Sequence, residues 1–227
     1  MYIRKMFRFY FLLFLVFKLT LSYGQGDKNL YKQYRTGPDP DNFFHKWNYS
    51  FYAKFNLINS DQNYTKIRPG KGLGFMIQKL NSKSFGFGTG FEFNEVNYKY
   101  LGYFNGSKDN LNYLTIPFSI RLYPSRKLYI ESGVKYYYLL SAKNSEYINP
   151  NDNSNNYLDD LFDSSPGIFF GFNYKIWKRL HIGIQYEYLK GSRKNQVGIY
   201  PNNFRGLSLK IETFFKNPLD KPKQKLN

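Results

Sequence analysis

The chain offers few side chains that could do chemistry, and their spacing narrows what that chemistry could be. It contains two histidines, His45 and His181, and no cysteine. A thiolate nucleophile, a zinc–thiolate site, a disulfide framework and a lipidated N-terminal cysteine are therefore excluded. A serine nucleophile needs a base within hydrogen-bond reach. Chain direction, worked out below, puts both histidines at the end away from the Ser- and Asp-rich loops. Those loops then have no histidine to activate a nucleophile, which argues against a lipid-modifying enzyme. No catalytic residue is assigned, and the chain reads as non-enzymatic. Asp152, Asp159, Asp160 and Asp163 form an acidic cluster. Hard cations do take clustered carboxylates, but the ligand spacing and central glycine of a calcium loop are missing. The cluster reads as a solvated loop, and neither metal nor other cofactor is expected.

A second set is more telling. Lys54, Glu92, Arg121, Glu131, Lys135, Glu187, Lys210 and Glu212 sit singly inside segments whose alternate residues are apolar. Interleaved acids and bases on one face suit an enclosed polar lumen, because each buried charge needs a partner. His181 falls on the same face and reads as a further polar partner.

The elements that must position these residues are strands. From Asn112 to Lys143 the chain reads NYLTIPFSIRLYP, a short break, then LYIESGVKYYYLLSAK. Leu114, Ile116, Phe118, Ile120 and Leu122 share one face, while Thr115, Ser119 and Arg121 share the other. Alternation of this length is a strand signal and not a helical one. Eight such segments are predicted, at about 46–57, 70–80, 85–97, 111–123, 128–142, 167–175, 180–190 and 204–215. Each has roughly the nine residues that a tilted strand needs to cross a bilayer. Short connections (81–84, 124–127, 176–179) alternate with long ones (58–69, 98–110, 143–166, 191–203). Short turns on one side and long loops on the other are the pattern of an outer-membrane barrel, with the short turns periplasmic.

Volume decides which face meets lipid. The interior of an eight-stranded barrel holds on the order of a dozen side chains, and the apolar face carries about three times as many bulky ones. That face must point outward. The expected architecture is an all-β, eight-stranded antiparallel up-and-down transmembrane β-barrel, with a lumen too narrow and too filled for a general pore. Pro117 falls mid-strand, where its missing N–H predicts a bulge or a lost ladder bond.

The flanks complete the reading. Met1–Arg8 is basic, Phe9–Phe17 is apolar, and Ser22-Tyr23-Gly24 puts small residues at −3 and −1 before Gln25. This is the pattern of a cleaved secretory signal over residues 1–24. Residues 25–45 read as a polar periplasmic leader, 46–216 as the barrel and 217–227 as a basic, Pro-broken periplasmic tail. Removing Arg4, Lys5, Arg8 and Lys18 with the signal lowers the formal charge from +17 to +13. Such a balance could serve nucleic acid or an anionic membrane surface, and a secreted chain excludes nucleic acid. Lys66, Arg68, Lys71, Lys190, Arg193 and Lys194 lie toward the long loops, where lipopolysaccharide phosphates could meet them.

The stretch YLTIPFSIRLYP, its short turn and LYIESGVKYYYLL resemble the PorT-like outer-membrane β-barrel family of Bacteroidota. Pro117 and Gly133 match that family's proline and glycine in these strands, and GFNYKIWKRLHIGIQYEY matches a further hairpin. The resemblance spans about residues 46–215 and departs from the family where Phe215 is followed by a tail. It implies location in the cell outer membrane and, as for some relatives, accessory work in a type IX-like secretion machine. The narrow, filled lumen and the long polar loops point instead to a structural or surface-binding role. The implied partners are outer-membrane lipids, lipopolysaccharide and periplasmic or outer-membrane secretion proteins. No functional residue is carried over.

Overall fold

The computed structural model describes residues 44–101, 106–146, 155–156, 162–190 and 203–219. The segments at 1–43 and 220–227, together with Asp152, Asp159, Asp160, Arg193 and Lys194, lie outside the described residues.

Nine strands form one antiparallel sheet: β1 (Trp47–Ser60), β2 (Thr65–Arg68), β3 (Gly70–Leu80), β4 (Phe85–Tyr100), β5 (Lys108–Leu122), β6 (Leu128–Asn144), β7 (Ser165–Trp177), β8 (Leu180–Lys190) and β9 (Asn203–Phe214). Each long strand pairs with its sequence neighbours, β1 pairs with β9, and the β4–β5 ladder completes the ring. The result is a closed barrel. The ninth strand adds no wall. β2 and β3 both pair with β4, at Arg68↔Asn97 and Gly72↔Asn94, so the two are one strand with an extra residue at the break. Pro69 occupies the break, where a residue without an N–H interrupts a ladder, and Asn97 Nδ2 donates to its carbonyl at 2.9 Å. The wall therefore has eight strands, in agreement with the alternation pattern.

Several strands run further toward the long-loop end than apolar alternation predicts. β1 extends to Ser60, β4 to Tyr100 and β6 to Asn144, while β5 begins at Lys108. The reason is inward polar pairing. Asp109 accepts from Tyr100 Oη at 2.8 Å and from Asn144 Nδ2 at 2.6 Å. These groups hold the ladder where the outward residues are no longer apolar.

Pro117 produces the lost ladder contact without a bulge. Thr89↔Phe118 and Glu92↔Thr115 keep one register on either side, and Gly90–Phe91 stays unpaired with Ile116–Pro117. The one-residue shift in β5–β6 falls elsewhere, at Asn112/Tyr113.

Burial follows period two along every long strand. Phe51, Phe91, Phe118, Val134, Phe172, Ile184 and Leu209 are exposed on the outer wall, as are many similar neighbours. Large apolar patches on a single-layer wall have no water-compatible explanation, so this belt faces lipid. Trp47, Tyr138, Tyr174 and Trp177, also exposed, stand near strand ends as interfacial aromatics do.

The barrel encloses two apolar clusters. Near the long loops, Ile58, Val96, Tyr98, Tyr100, Leu111, Tyr113, Tyr137, Phe162, Leu189 and Phe204 pack together. Near the short turns, Leu80, Tyr123, Tyr129, Phe214 and Leu219 do the same, with Phe44 against them. The cluster near the short turns takes in the start of the segment read as a tail. Asn217 and Leu219 are buried, and the His45 N–H donates to the Pro218 carbonyl at 2.9 Å. Pro218 cannot extend a strand, so the chain turns back into the barrel mouth.

Candidate functional site: a lumen closed by two charge rings

All eight lumen charges read from the sequence face inward and are buried. Parity explains this directly. Each strand's outward set is fixed by the lipid belt, so the intervening residues can only point into the lumen.

The eight groups sort into two closed rings of four. In the first, toward the long loops, Lys54 Nζ lies 2.8 Å from Glu92 Oε1 and also pairs with Glu187. Lys135 Nζ completes the circuit at 3.2 Å from Glu92 and 3.1 Å from Glu187. In the second, nearer the short turns, an Arg121 terminal nitrogen lies 3.1 Å from Glu131 and 3.1 Å from Glu212. Lys210 pairs with Glu131 and lies 3.3 Å from Glu212 Oε2. Every acid touches two bases and every base two acids, so each ring is neutral. This arrangement offsets desolvation better than isolated pairs would, because no charge is left with one partner.

Neutral donors satisfy further lone pairs, although Glu131 Oε2 and Arg121 Nε are left without a hydrogen bond. Ser50 Oγ donates to Glu212 at 2.5 Å, and the Tyr129 hydroxyl donates to the same carboxylate. Tyr137 and Ser208 donate to Glu187 at 2.7 and 3.1 Å, and Asn173 Nδ2 donates to Glu131 at 3.2 Å. Gln78 Oε1 accepts from Arg121 at 3.3 Å and from Tyr123 Oη at 2.9 Å. Tyr52 joins the rings. Its hydroxyl donates to Glu92 at 2.9 Å, while Lys210 Nζ lies 5.4 Å from its ring centroid, within cation–π range.

Glycine makes room for this network. Lys54 stands across from Gly72, Glu92 from Gly74, Arg121 from Gly86 and Glu131 from Gly171. Lys135 stands across from Gly167, Glu187 from Gly206 and Lys210 from Gly183. The missing side chain lets a long one lie flat across the wall and reach the axis. At Gly74 a Cβ would come within 2.3 Å of the Tyr52 ring, and at Gly183 within 2.1 Å of Asn173 Oδ1. Lys54 and Lys210 are themselves direct partners across the β1–β9 seam, yet they turn to different rings.

The other residues considered from the sequence are not brought into a site. His181 is buried, but its ring packs on Phe214 at 4.9 Å and Tyr129 at 5.7 Å. It belongs to the inner aromatic cluster and not to the charge rings. His45 sits at the same mouth, bonded to Pro218. Of the acidic cluster only Asp163 is described, at the long-loop end before β7. Lys71 lies beside Glu95, whose carboxylate its N–H meets at 3.4 Å, and Lys190 closes β8 opposite Asn203. Sequence reading missed the outer aromatic cluster. Tyr98 and Tyr100 carry inward parity, but they fall in a segment read as loop.

No protein-family model matches the chain, and no curated protein matches it. Solved structures do show a similar architecture. Ail, the attachment invasion locus protein of Yersinia pestis, is 12% identical over 74% of this chain and 96% of its own, with a TM-score of 0.46. Neisserial surface protein A is 11% identical over 75% and 98%, with a TM-score of 0.46. The outer membrane protein OprG of Pseudomonas aeruginosa is 14% identical over 78% and 100%, with a TM-score of 0.40.

Proposed function

We propose that this chain is a sealed, non-enzymatic barrel of the cell outer membrane, with a structural or surface-binding role carried by its long-loop end. The observation that supports this is the filled lumen. Two neutral rings lie between two apolar clusters, and the side chains that form them are buried. A rigid, plugged wall of this kind suits presentation of an outer surface more than transport through the axis. Residues 1–24 belong to the same reading as a cleaved secretory signal. Reconstitution into planar bilayers tests it, with no stepwise current above the bare membrane expected. A stable single-channel conductance from the purified, folded chain would overturn it.

A second reading, accessory work in a type IX-like secretion machine, is favoured by the meeting of the chain ends. The His45 N–H donates to the Pro218 carbonyl, which brings the two ends of the described chain together at the short-turn mouth. Deleting residues 25–43 or 220–227 should then abolish capture of a secretion component from native membranes while leaving the barrel folded. Unchanged capture by both deletions would exclude this role for the ends.

A further inference from the structure

The outer wall at the long-loop end carries an electrostatic arrangement that a sheet does not tolerate alone. Lys66 on β2 stands directly across from Lys99 on β4, and Lys99 stands directly across from Lys108 on β5. Of the residues next to them along the strands, Thr65, Tyr98, Tyr100, Ser107 and Asp109 are buried, while Ile67 is exposed. All three lysines therefore point outward in one cross-strand row. Direct cross-strand neighbours have Cβ atoms about 4.5–5.5 Å apart, and like charges so placed repel. Of the described carboxylates at this end, Glu146 stands beside Gly106 and forms no ion pair with them. Asp109 points inward, held by Tyr100 and Asn144, and Glu95 stands lower on β4 beside Lys71. Among the described residues, no ion pair reaches any of the three.

We propose that Lys66, Lys99 and Lys108 bind a phosphate group on the saccharide headgroup of an outer-leaflet glycolipid. This rests on the reading of the barrel as an outer-membrane protein with its long loops outward. A phosphate dianion among three ammonium groups turns the mutual repulsion into attraction, and lysine suits it as a compact charge with three donors.

Height selects the source of the phosphate. Phe93 and Leu114 are direct partners, both exposed, and they mark the top of the apolar belt on β4 and β5. Lys99 and Lys108 each lie six residues beyond them. At about 3.4 Å per residue this is about 20 Å of strand, or about 14 Å of height at a 45° tilt. The headgroup zone of a simple phospholipid adds only about 6 Å per leaflet to the hydrocarbon. A phosphate carried higher, on a sugar, meets the row. Side-chain amides line the wall between. Asn112 Nδ2 donates to Asn110 Oδ1 at 2.8 Å, and Asn110 Nδ2 donates to Asn97 Oδ1 at 2.6 Å. This amide ladder runs from the belt toward the lysines.

The test titrates the full chain, folded in detergent, with four probes. They are phosphorylated lipopolysaccharide, the same material after phosphatase treatment, its deacylated phosphosaccharide, and inorganic phosphate. Affinity is read by native mass spectrometry. The intact glycolipid should bind at least tenfold more tightly than the phosphatase-treated form. K66Q/K99Q/K108Q should lose that preference, while the short-turn control K46Q/K127Q should retain it. Without ligand, K99Q should raise the unfolding midpoint, because it removes the central charge of the row. Equal binding of the two lipid forms, or an unchanged preference in the triple variant, would overturn the proposal. A lowered K99Q midpoint would overturn its electrostatic premise. Equally tight binding of the deacylated sugar or of inorganic phosphate would overturn the glycolipid as the source. Conductance of the same preparation judges the sealed-barrel reading separately.

Discussion

Arg121 on β5 and Glu131 on β6 are direct cross-strand partners, 3.1 Å apart and fully enclosed. Each also serves a second partner in its ring, which determines how their loss should combine. Arg121→Ala leaves Glu131 and Glu212 sharing Lys210 alone. Glu131→Ala leaves Arg121 and Lys210 sharing Glu212. Stranding a buried charge costs about 3–5 kcal/mol, so either change should lower the unfolding midpoint in detergent. The double variant leaves a neutral Lys210–Glu212 pair and should cost clearly less than the sum. A pair drawn from different rings, Arg121→Ala with Glu187→Ala, should come much closer to additivity. Denaturant titration of the two cycles checks this.

The Tyr52–Gly74 contact should behave as a size lock. Gly74→Val pushes a side chain into the Tyr52 ring, and overpacking of this kind costs about 1–3 kcal/mol. Tyr52→Ala alone should also destabilise, since Glu92 loses a donor and Lys210 loses a ring face. Combined, the two changes should restore part of the midpoint. A double variant as unstable as the sum of the singles would show that the ring is not what fixes glycine at this position.

The lipid face makes a depth-dependent prediction. Phe118→Arg and Ile184→Arg replace exposed belt residues and should each cost about 2–4 kcal/mol near the bilayer midplane. Ser82→Arg, in the exposed β3–β4 turn, should stay within about 0.5 kcal/mol. Folding free energies measured in lipid vesicles provide the comparison.

Orientation follows from connection length. An epitope inserted between Asn155 and Asn156 should be reached by antibody on intact cells. One inserted between Ser125 and Arg126 should be reached only after the outer membrane is permeabilised. The opposite labelling would invert the barrel.

Much of this architecture is legible in the sequence because the lipid belt acts as a ruler. Once Phe118, Ile120 and Leu122 are outward, Ser119 and Arg121 have no choice but the lumen, and the same logic places the other seven charges. Their partition into two rings is not legible. Glu92, Lys135 and Glu187 meet Lys54 only because the strands are staggered around a closed wall, and stagger is a property of the whole barrel. Lys99 and Lys108 were hidden for another reason. They sit where outward residues have turned polar, so the alternation that identifies a strand fades before the strand ends. Leu219 lies beyond Pro218 in a charged segment, and only the fold shows that the barrel mouth has a place for it.

The facing lysines of the first and last strands bear on how the cylinder is sealed. Seven of the wall's eight seams join strands adjacent along the chain, where the connecting segment limits sliding. The β1–β9 seam alone joins the two ends of the wall and has no such tether. While it is open, Lys54 keeps Glu92 through the β1–β3–β4 ladders, but its contact with Glu187 on β8 is missing and the ring stays open. Correct docking delivers Lys54 to Glu187, and that attraction must outweigh its opposition to Lys210. A slip of two residues keeps every apolar side chain facing lipid, so the belt cannot detect it. The slipped strand would carry Lys54 past Glu187 and leave that carboxylate with Lys135 alone. The final zippering step is thus proofread from inside the barrel, by charge, at the seam where hydrophobicity is blind.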